Sequence, residues 1–316
     1  MRIVIPGGSG QVGTLLSRRF RSDGHDVVIL TRHPRAAGEV AWNGRDPGDW
    51  IDTLAGCDVL INLAGRSVNC RYGARNRQQI LESRVLSTQV LGDACKSLAA
   101  PPPVWLQAST ATIYAHRYDA AHDEATGIVG GDEPGAPSTW RFSIDVATAW
   151  EQVADHAIPD KIRVAKLRSA MTMSPDRDGI FDTLLRLVRR RLGGTCGDGR
   201  QFVSWIHELD FVRAVYWLIE REDLDGPVNL SSPHPLPNRE FMAALRAAWG
   251  TRVGLPATRW MLEAGALLMQ TETELVLKSR RVVPKRLLDS GFEFQFPTWP
   301  EAAEELCGRW RGGAGS

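Results

Sequence analysis

Cysteine is scarce in this 316-residue chain. The five present, Cys57, Cys70, Cys95, Cys196 and Cys307, are odd in number, widely spaced and without a Cys-x-x-Cys pair. That pattern argues against a disulfide framework or a zinc site and fits reducing surroundings. An excess of charge is missing as well: 38 lysines and arginines against 37 acids leave a formal net charge of +1. Neither nucleic acid nor a membrane surface is therefore an expected partner. No apolar run approaches the roughly 20 residues of a membrane span, and no internal repeat or low-complexity segment is visible. A strand signal that begins at residue 2 suggests no signal peptide, so a cytoplasmic protein is expected. What is present is ordinary for a globular chain, at 43% hydrophobic and 24% charged residues. The length suits one large α/β domain, or a large domain with a small lobe.

The opening stretch, MRIVIPGGSGQVGT, organises the rest. Arg2 to Ile5 reads as a buried strand. Gly7, Gly10 and Gly13 follow in a GxxGxxG spacing, and Val12, Leu15, Leu16 and Phe20 have the spacing of a helix face. Strand, glycine turn and helix in that order are the context of a dinucleotide site. Gly7 permits the tight turn, Gly10 lets a pyrophosphate reach the backbone, and Gly13 allows close helix packing. The helix N-terminus then offers free N–H groups to the phosphates. Gly7, Ser9, Gly10, Gln11, Val12 and Gly13 are the expected cofactor-binding residues of this turn.

Further along, strand and helix signals alternate. Strands are expected at Asp26 to Leu30, Val40 to Trp42, Asp58 to Leu63, Val104 to Ala108 and Ile162 to Leu167, with helices at Ala74 to Leu98 and Ser143 to His156. Alternation of this kind predicts a doubly wound parallel sheet with right-handed crossovers, a Rossmann arrangement. Ligands of such sheets bind at the carboxyl ends of the strands. Thr31 and Arg32 end the second strand, where an acid would select NAD. Arg32 can instead pair with a 2′-phosphate, so NADP is the expected cofactor. Leu167 and Arg168 end the sixth strand and join the expected cofactor site. A strand-like QFVSWI, a strand at Gly226 to Leu230, helices at Pro237 to Trp249 and Ala257 to Met269, and a short helix at Pro284 to Ser290 capped by Gly291 complete the reading.

The segments IPGGSGQVG, TRHP, DVLINLAG, ESRVLSTQVL, STATIY, FVSWIHELDFVRAV and PKRLLDSGFEF resemble an atypical branch of the extended short-chain dehydrogenase/reductase superfamily. Its members are usually called epimerase family proteins. The resemblance covers nearly the whole chain. It implies an NADP(H)-binding Rossmann domain and a smaller α/β C-terminal lobe that in sugar-nucleotide relatives closes over the substrate. The implied division is 1–170 with 205–230 for the first, 171–204 and 231–305 for the second, and a tail at 306–316. Asn62, Leu63, Ala64 and Gly65 match the loop beside the cofactor ribose, and Arg84 a helix position facing the cofactor. Ser109 and Thr110 match the Ser/Thr pair after the fifth strand. Tyr114 matches the aromatic of the relatives' xYG turn, with Ala115 in place of the glycine.

The catalytic pattern departs from the superfamily. Active members carry Tyr-x-x-x-Lys on the helix after the fifth strand, the tyrosine as acid/base and the lysine lowering its pKa. Anchored on Glu151, those positions fall on Ser143 and Ala147, and no lysine lies between Lys96 and Lys161. Tyr114, helped by Ser109 and Thr110, is then the expected proton donor. Arg186, Arg189, Arg190 and Arg191, followed by a glycine-rich run and Arg200, form either a solvated helix face or a site for a substrate diphosphate. His207 reads as structural. The expected function is an NADP(H)-dependent oxidoreductase or epimerase-like enzyme, monomeric or homodimeric, acting on a small anionic or sugar-nucleotide-like substrate. The rival from another class is a non-catalytic NADP(H)-binding sensor, whose pocket side chains would fill.

Overall fold

Aliphatic residues alternate along β1 (Arg2–Pro6): Ile3 and Ile5 join one apolar cluster, and Val4 joins another. A strand buried on both faces belongs inside a parallel sheet. In the computed structural model, which describes residues 1–133, 136–258, 260–263 and 272–313, β1 lies between two neighbours. They are β2 (Asp26–Thr31) and β4 (Val59–Asn62), with Ile3 beside Val27 and Val59. The sheet extends through β3 (Glu39–Ala41) on one side. On the other it runs through β5 (Val104–Thr110), β6 (Arg163–Ser169) and a late strand, β10 (Gly226–Leu230). Its seven strands run β10-β6-β5-β4-β1-β2-β3, and every pairing is parallel.

Helices cover both faces. On one, α1 (Gln11–Ser22) and α5 (Glu208–Glu220) bring Leu16, Phe20, Phe211 and Val215 onto Ile3, Ile5 and Leu106. On the other, α2 (Ala74–Ser97) and α3 (Ser138–Ala157) bring Leu91, Cys95 and Ala154 onto Val4, Leu60 and Trp105. Side chains of this size, fully buried, are each worth about 1.5–3 kcal/mol of transfer free energy. A third core lies in the smaller C-terminal region. There α4 (Ile180–Arg189), α6 (Asn238–Trp249) and the helix Trp299–Arg311 gather around Trp205, with Phe241 stacked on Trp299 at 4.1 Å. Among the described residues no helix is long and apolar enough to cross a membrane.

The expected elements recur with small shifts. Helix α3 begins at Ser138, one and a half turns before the apolar spacing suggested. QFVSWI is two short strands, β8 (Phe202–Val203) and β9 (Trp205–His207). Ser204 interrupts them by donating its hydroxyl to the Arg280 carbonyl. β9 pairs with β7 (Met171–Met173), which sequence reasoning missed because a three-residue strand has too little periodicity. The tail expected from residue 306 is helix as far as Arg311. Of the helix expected at Ala257 to Met269, residues 260–263 are helical, and most of the rest lies outside the described residues, as do residues 314–316 of the tail.

Candidate active site

The glycine turn is shaped for a ligand. Gly7 has φ +75°, and a Cβ on it would sit 2.8 Å from the backbone of Leu63 and Ala64. A Cβ on Gly13 would meet the Gly8 backbone at 2.5 Å. Both glycines are thus required by close approach. Gly10 differs: a Cβ there would find only the Gly7 carbonyl, at 3.6 Å, so this face of the turn is open. Gly10 is also the N-cap of α1, and no side chain caps the helix. Its first N–H groups are left to an external acceptor, which is the arrangement that binds a pyrophosphate. The open Gly10 face and these unclaimed donors fit a dinucleotide.

Around this turn stand the other expected cofactor residues. Ser9 and Thr31 share a hydroxyl–hydroxyl contact of 3.2 Å, and Arg32 extends from the same rim into solvent. Asn62 is buried and fully occupied. Its amide donates to Thr88 and Gln107, and its carbonyl oxygen accepts from the Ala64 N–H. It therefore shapes the Leu63–Ala64–Gly65 loop instead of reaching outward. Arg84 lies over Gly65 and 5.0 Å above the Trp150 ring, and donates to the carbonyls of Arg66 and Ile80. Burial brings its pKa down to about 10, so it stays cationic at neutral pH.

At the carboxyl ends of β4 and β5 lies a cavity of about 260 Å³. Arg84, Ser109, Thr110, Ser143, Ala147 and Trp150 line it, with Tyr72 and Glu274 at its wall. Ser143 and Ala147 are one helical turn apart on α3, so the positions of the missing Tyr and Lys do face the cavity. Segment 272–280 closes it. Glu272 accepts the Tyr72 N–H at 2.8 Å, Glu274 accepts the Ser143 hydroxyl at 2.5 Å, and the Lys278 ammonium donates to the Thr112 carbonyl at 2.8 Å.

Tyr114 does not face this cavity, contrary to the expectation that it donates the proton. The 3₁₀ turn Ala111–Ile113, capped by the Thr110 hydroxyl, directs it inward. It is buried and stacked on His122 at 5.0 Å. Its hydroxyl donates to Asn229 and accepts from Arg168. Burial pushes the phenol up, with Arg168 only partly offsetting it. Leu167 and Arg168 are likewise corrected as side-chain contacts for a cofactor. Leu167 belongs to the core under the sheet, and Arg168 forms a two-pronged ion pair with Glu151, at 2.8 and 2.7 Å. Ser109 lines the cavity but gives its hydroxyl to the same Glu151 at 2.6 Å. Burial opposes the charge on Glu151, yet Arg168 and Ser109 outweigh it and hold the carboxyl below its ordinary value.

Of the arginine cluster, Arg186 and Arg189 lie on α4, and Arg190 and Arg191 follow its end. Arg186 pairs with Asp182 at 2.7 Å, and Arg189 stacks 4.4 Å above Trp310. His207 caps α5, accepting from the Leu209 N–H, and stacks on Phe296 at 4.0 Å. Sequence reasoning missed Tyr72, Glu274 and Lys278. Tyr72 lies in a loop with no periodic signal. The other two lie more than 100 residues beyond the strands they serve, and only the closed fold brings them together.

The profile of the NAD dependent epimerase/dehydratase family matches residues 3–230. The chain belongs to that family. Within the family, residues 257–306 match a domain of unknown function, DUF1731. The epimerase family protein SDR39U1 of Bos taurus is 30% identical over 315 residues, 97% of this chain and 99% of the relative. The crystal structure of human SDR39U1 with NADPH superposes with a TM-score of 0.85 at 28% identity. That match covers 98% of this chain and 99% of the other. A nucleoside-diphosphate sugar epimerase from Corynebacterium glutamicum, also 28% identical, superposes with a TM-score of 0.76 over 97% of this chain and 58% of its own.

Proposed function

We propose that this family member is an NADP(H)-dependent oxidoreductase or epimerase-like enzyme for a small anionic or sugar-nucleotide-like substrate. The observation that carries this is the open Gly10 face at the uncapped N-terminus of α1, in a chain whose human homologue was crystallised with NADPH. The N–H groups of α1 would hold the pyrophosphate. Ser9, Thr31 and Arg32 would take the 2′-phosphate, and the Leu63–Gly65 loop would border the ribose. When bound, NADP(H) supplies or removes a hydride. Beside it, Arg84 offers a fixed cation, and Thr110 and Ser143 offer hydroxyls to a substrate oxygen. That a cavity of about 260 Å³ is left open by the side chains around it supports the enzyme reading. In this reading residues 1–170 and 205–230 carry the cofactor, and 171–204 and 231–305 bear on the substrate. The test is titration with NADPH and NADH by protein fluorescence, followed by turnover assays on carbonyl compounds and sugar nucleotides. NADPH should bind more tightly, and failure of both to bind would end the reading.

A further inference from the structure

Reducing a carbonyl requires one proton on oxygen for each hydride on carbon, and oxidising an alcohol requires the reverse. The superfamily's phenol is absent at position 143, and Tyr114 is turned into the core. Two ionisable acids, Tyr72 and Glu274, line the cavity. Glu274 stands out by geometry. Its side chain is 1% exposed, and Oε2 accepts the Ser143 hydroxyl at 2.5 Å, the short geometry of a strong hydrogen bond to a carboxyl group. Oε1 has no hydrogen-bond partner among the described residues, although a buried carboxylate oxygen left unpaired is costly. Lys278 Nζ is 3.9 Å from Oε1 and gives its hydrogen bond to the Thr112 carbonyl, and Arg280 donates to the Glu274 backbone carbonyl at 3.3 Å. A buried, half-satisfied carboxyl in a cavity wall marks a site that a ligand or a moving proton completes.

We propose that Ser143 and Glu274 form the proton-transfer couple of this cavity, in place of the Tyr-x-x-x-Lys pair. The inference rests on the oxidoreductase reading above and assigns a task to the domain of unknown function. In reduction, the Ser143 hydroxyl protonates the alkoxide left by hydride delivery to the carbonyl carbon. The Glu274 carboxyl reprotonates Ser143 and ends as carboxylate, and water later returns its proton. Oxidation runs the same transfers backwards. The surroundings bear on how readily this carboxyl holds a proton. Burial pushes Glu274 above its ordinary value, helped by neighbouring Glu272, while Arg280, the Ser143 hydroxyl and Lys278 pull the other way. Tyr72, on the same cavity wall, is itself raised by burial and stays neutral, and Arg84 across the cavity stays cationic. Lys278 is a positioning residue. Its own pKa falls to about 8 through burial, so it is a weaker charge than an exposed lysine.

The experiment compares wild type with Glu274→Gln, Ser143→Ala, Ser143→Thr and Tyr72→Phe. NADPH binding is read by fluorescence, and turnover is read with benzil, phenanthrenequinone, UDP-glucose and UDP-glucuronic acid as probes. Protonated carboxyl groups are read by infrared difference spectra of the protein without cofactor. NADPH binding should survive every substitution. Glu274→Gln and Ser143→Ala should each lower turnover by about 10²–10⁴-fold, with Ser143→Thr restoring most of it. The reduction rate of wild type should fall as pH rises through the Glu274 pKa, and Glu274→Gln should lose that limb. The spectrum of wild type minus Glu274→Gln should contain a protonated-carboxyl band that vanishes in base. Full turnover in Glu274→Gln, absence of that band, or loss of the pH limb in Tyr72→Phe in its place overturns the couple. Absence of NADPH binding, or of turnover in wild type, instead takes down the oxidoreductase reading beneath it.

Discussion

At the phosphate turn the chain works almost entirely with backbone. Gly7, Gly10 and Gly13 lie within seven consecutive residues, and their task is to be small. The reaction cavity works with side chains drawn from Tyr72, Arg84, Ser109, Ser143 and Glu274, spread over two hundred residues. The first design ties function to local sequence. The second depends on cross-links that hold distant segments at fixed distances. Chief among these is the buried chain of contacts from Ser109 through Glu151 and Arg168 to Tyr114 and Asn229. Backbone sites therefore tolerate change around them, and side-chain sites depend on their supports.

The largest effect should come from cutting that support. Glu151→Ala leaves Arg168 buried without its counter-ion, and breaking one partner of a buried pair costs about 3–5 kcal/mol. Denaturant melts should show it. Because the Glu151 pKa is depressed in the folded state, its contribution is present above the unfolded glutamate value of about 4.3. It is lost as pH falls through the lower folded value. Wild type should thus lose stability in acid, and Glu151→Ala should lose less of it. A wild-type stability that ignores acid would break the comparison.

Next in size is the phosphate turn. Gly10→Val puts a branched side chain on the open face. It should remove NADPH binding, about 3 kcal/mol or more if two charged hydrogen bonds are lost, while circular dichroism stays native. A variant that binds normally would mean that the turn holds no pyrophosphate. Smaller again is Arg32→Ala. One charged contact is worth about 1.5–3 kcal/mol, so the preference for NADPH over NADH should fall about tenfold or more. The smallest effect is that of Tyr114→Phe, about 1 kcal/mol of stability from its lost hydrogen bonds. Its readout is the melting temperature. A variant as stable as wild type would show that Asn229 and Arg168 do not need the phenol.

The sequence was informative where function is local. The central strands, α1, α2 and the glycine turn follow from periodicity and glycine spacing over a dozen residues at a time. The Ser143 and Ala147 positions could be placed because Glu151 sits one and two turns along the same helix. Tyr114 was misjudged because a motif position says nothing about rotation of the side chain. The 3₁₀ turn before it, and the hydroxyl partners at Arg168 and Asn229, decide that. Glu274 and Lys278 were out of reach for a similar reason. No short-range pattern encodes that residues 272–280 fold back over the ends of β4 and β5.

Strand β10 carries a consequence for how the chain is made. β6 has β5 on one edge and β10 on the other, yet β10 comes from residues 226–230, after the excursion that builds β7 to α5. Synthesis proceeds from the N-terminus, so the ribosome releases six strands of the sheet well before the seventh. Throughout that interval β6 presents an open row of N–H and C=O groups, and the core beneath it waits for Val228 and Leu230. An unpaired edge of this kind is a template for a second nascent chain. The sheet is therefore closed on this side only once residues 226–230 have been made.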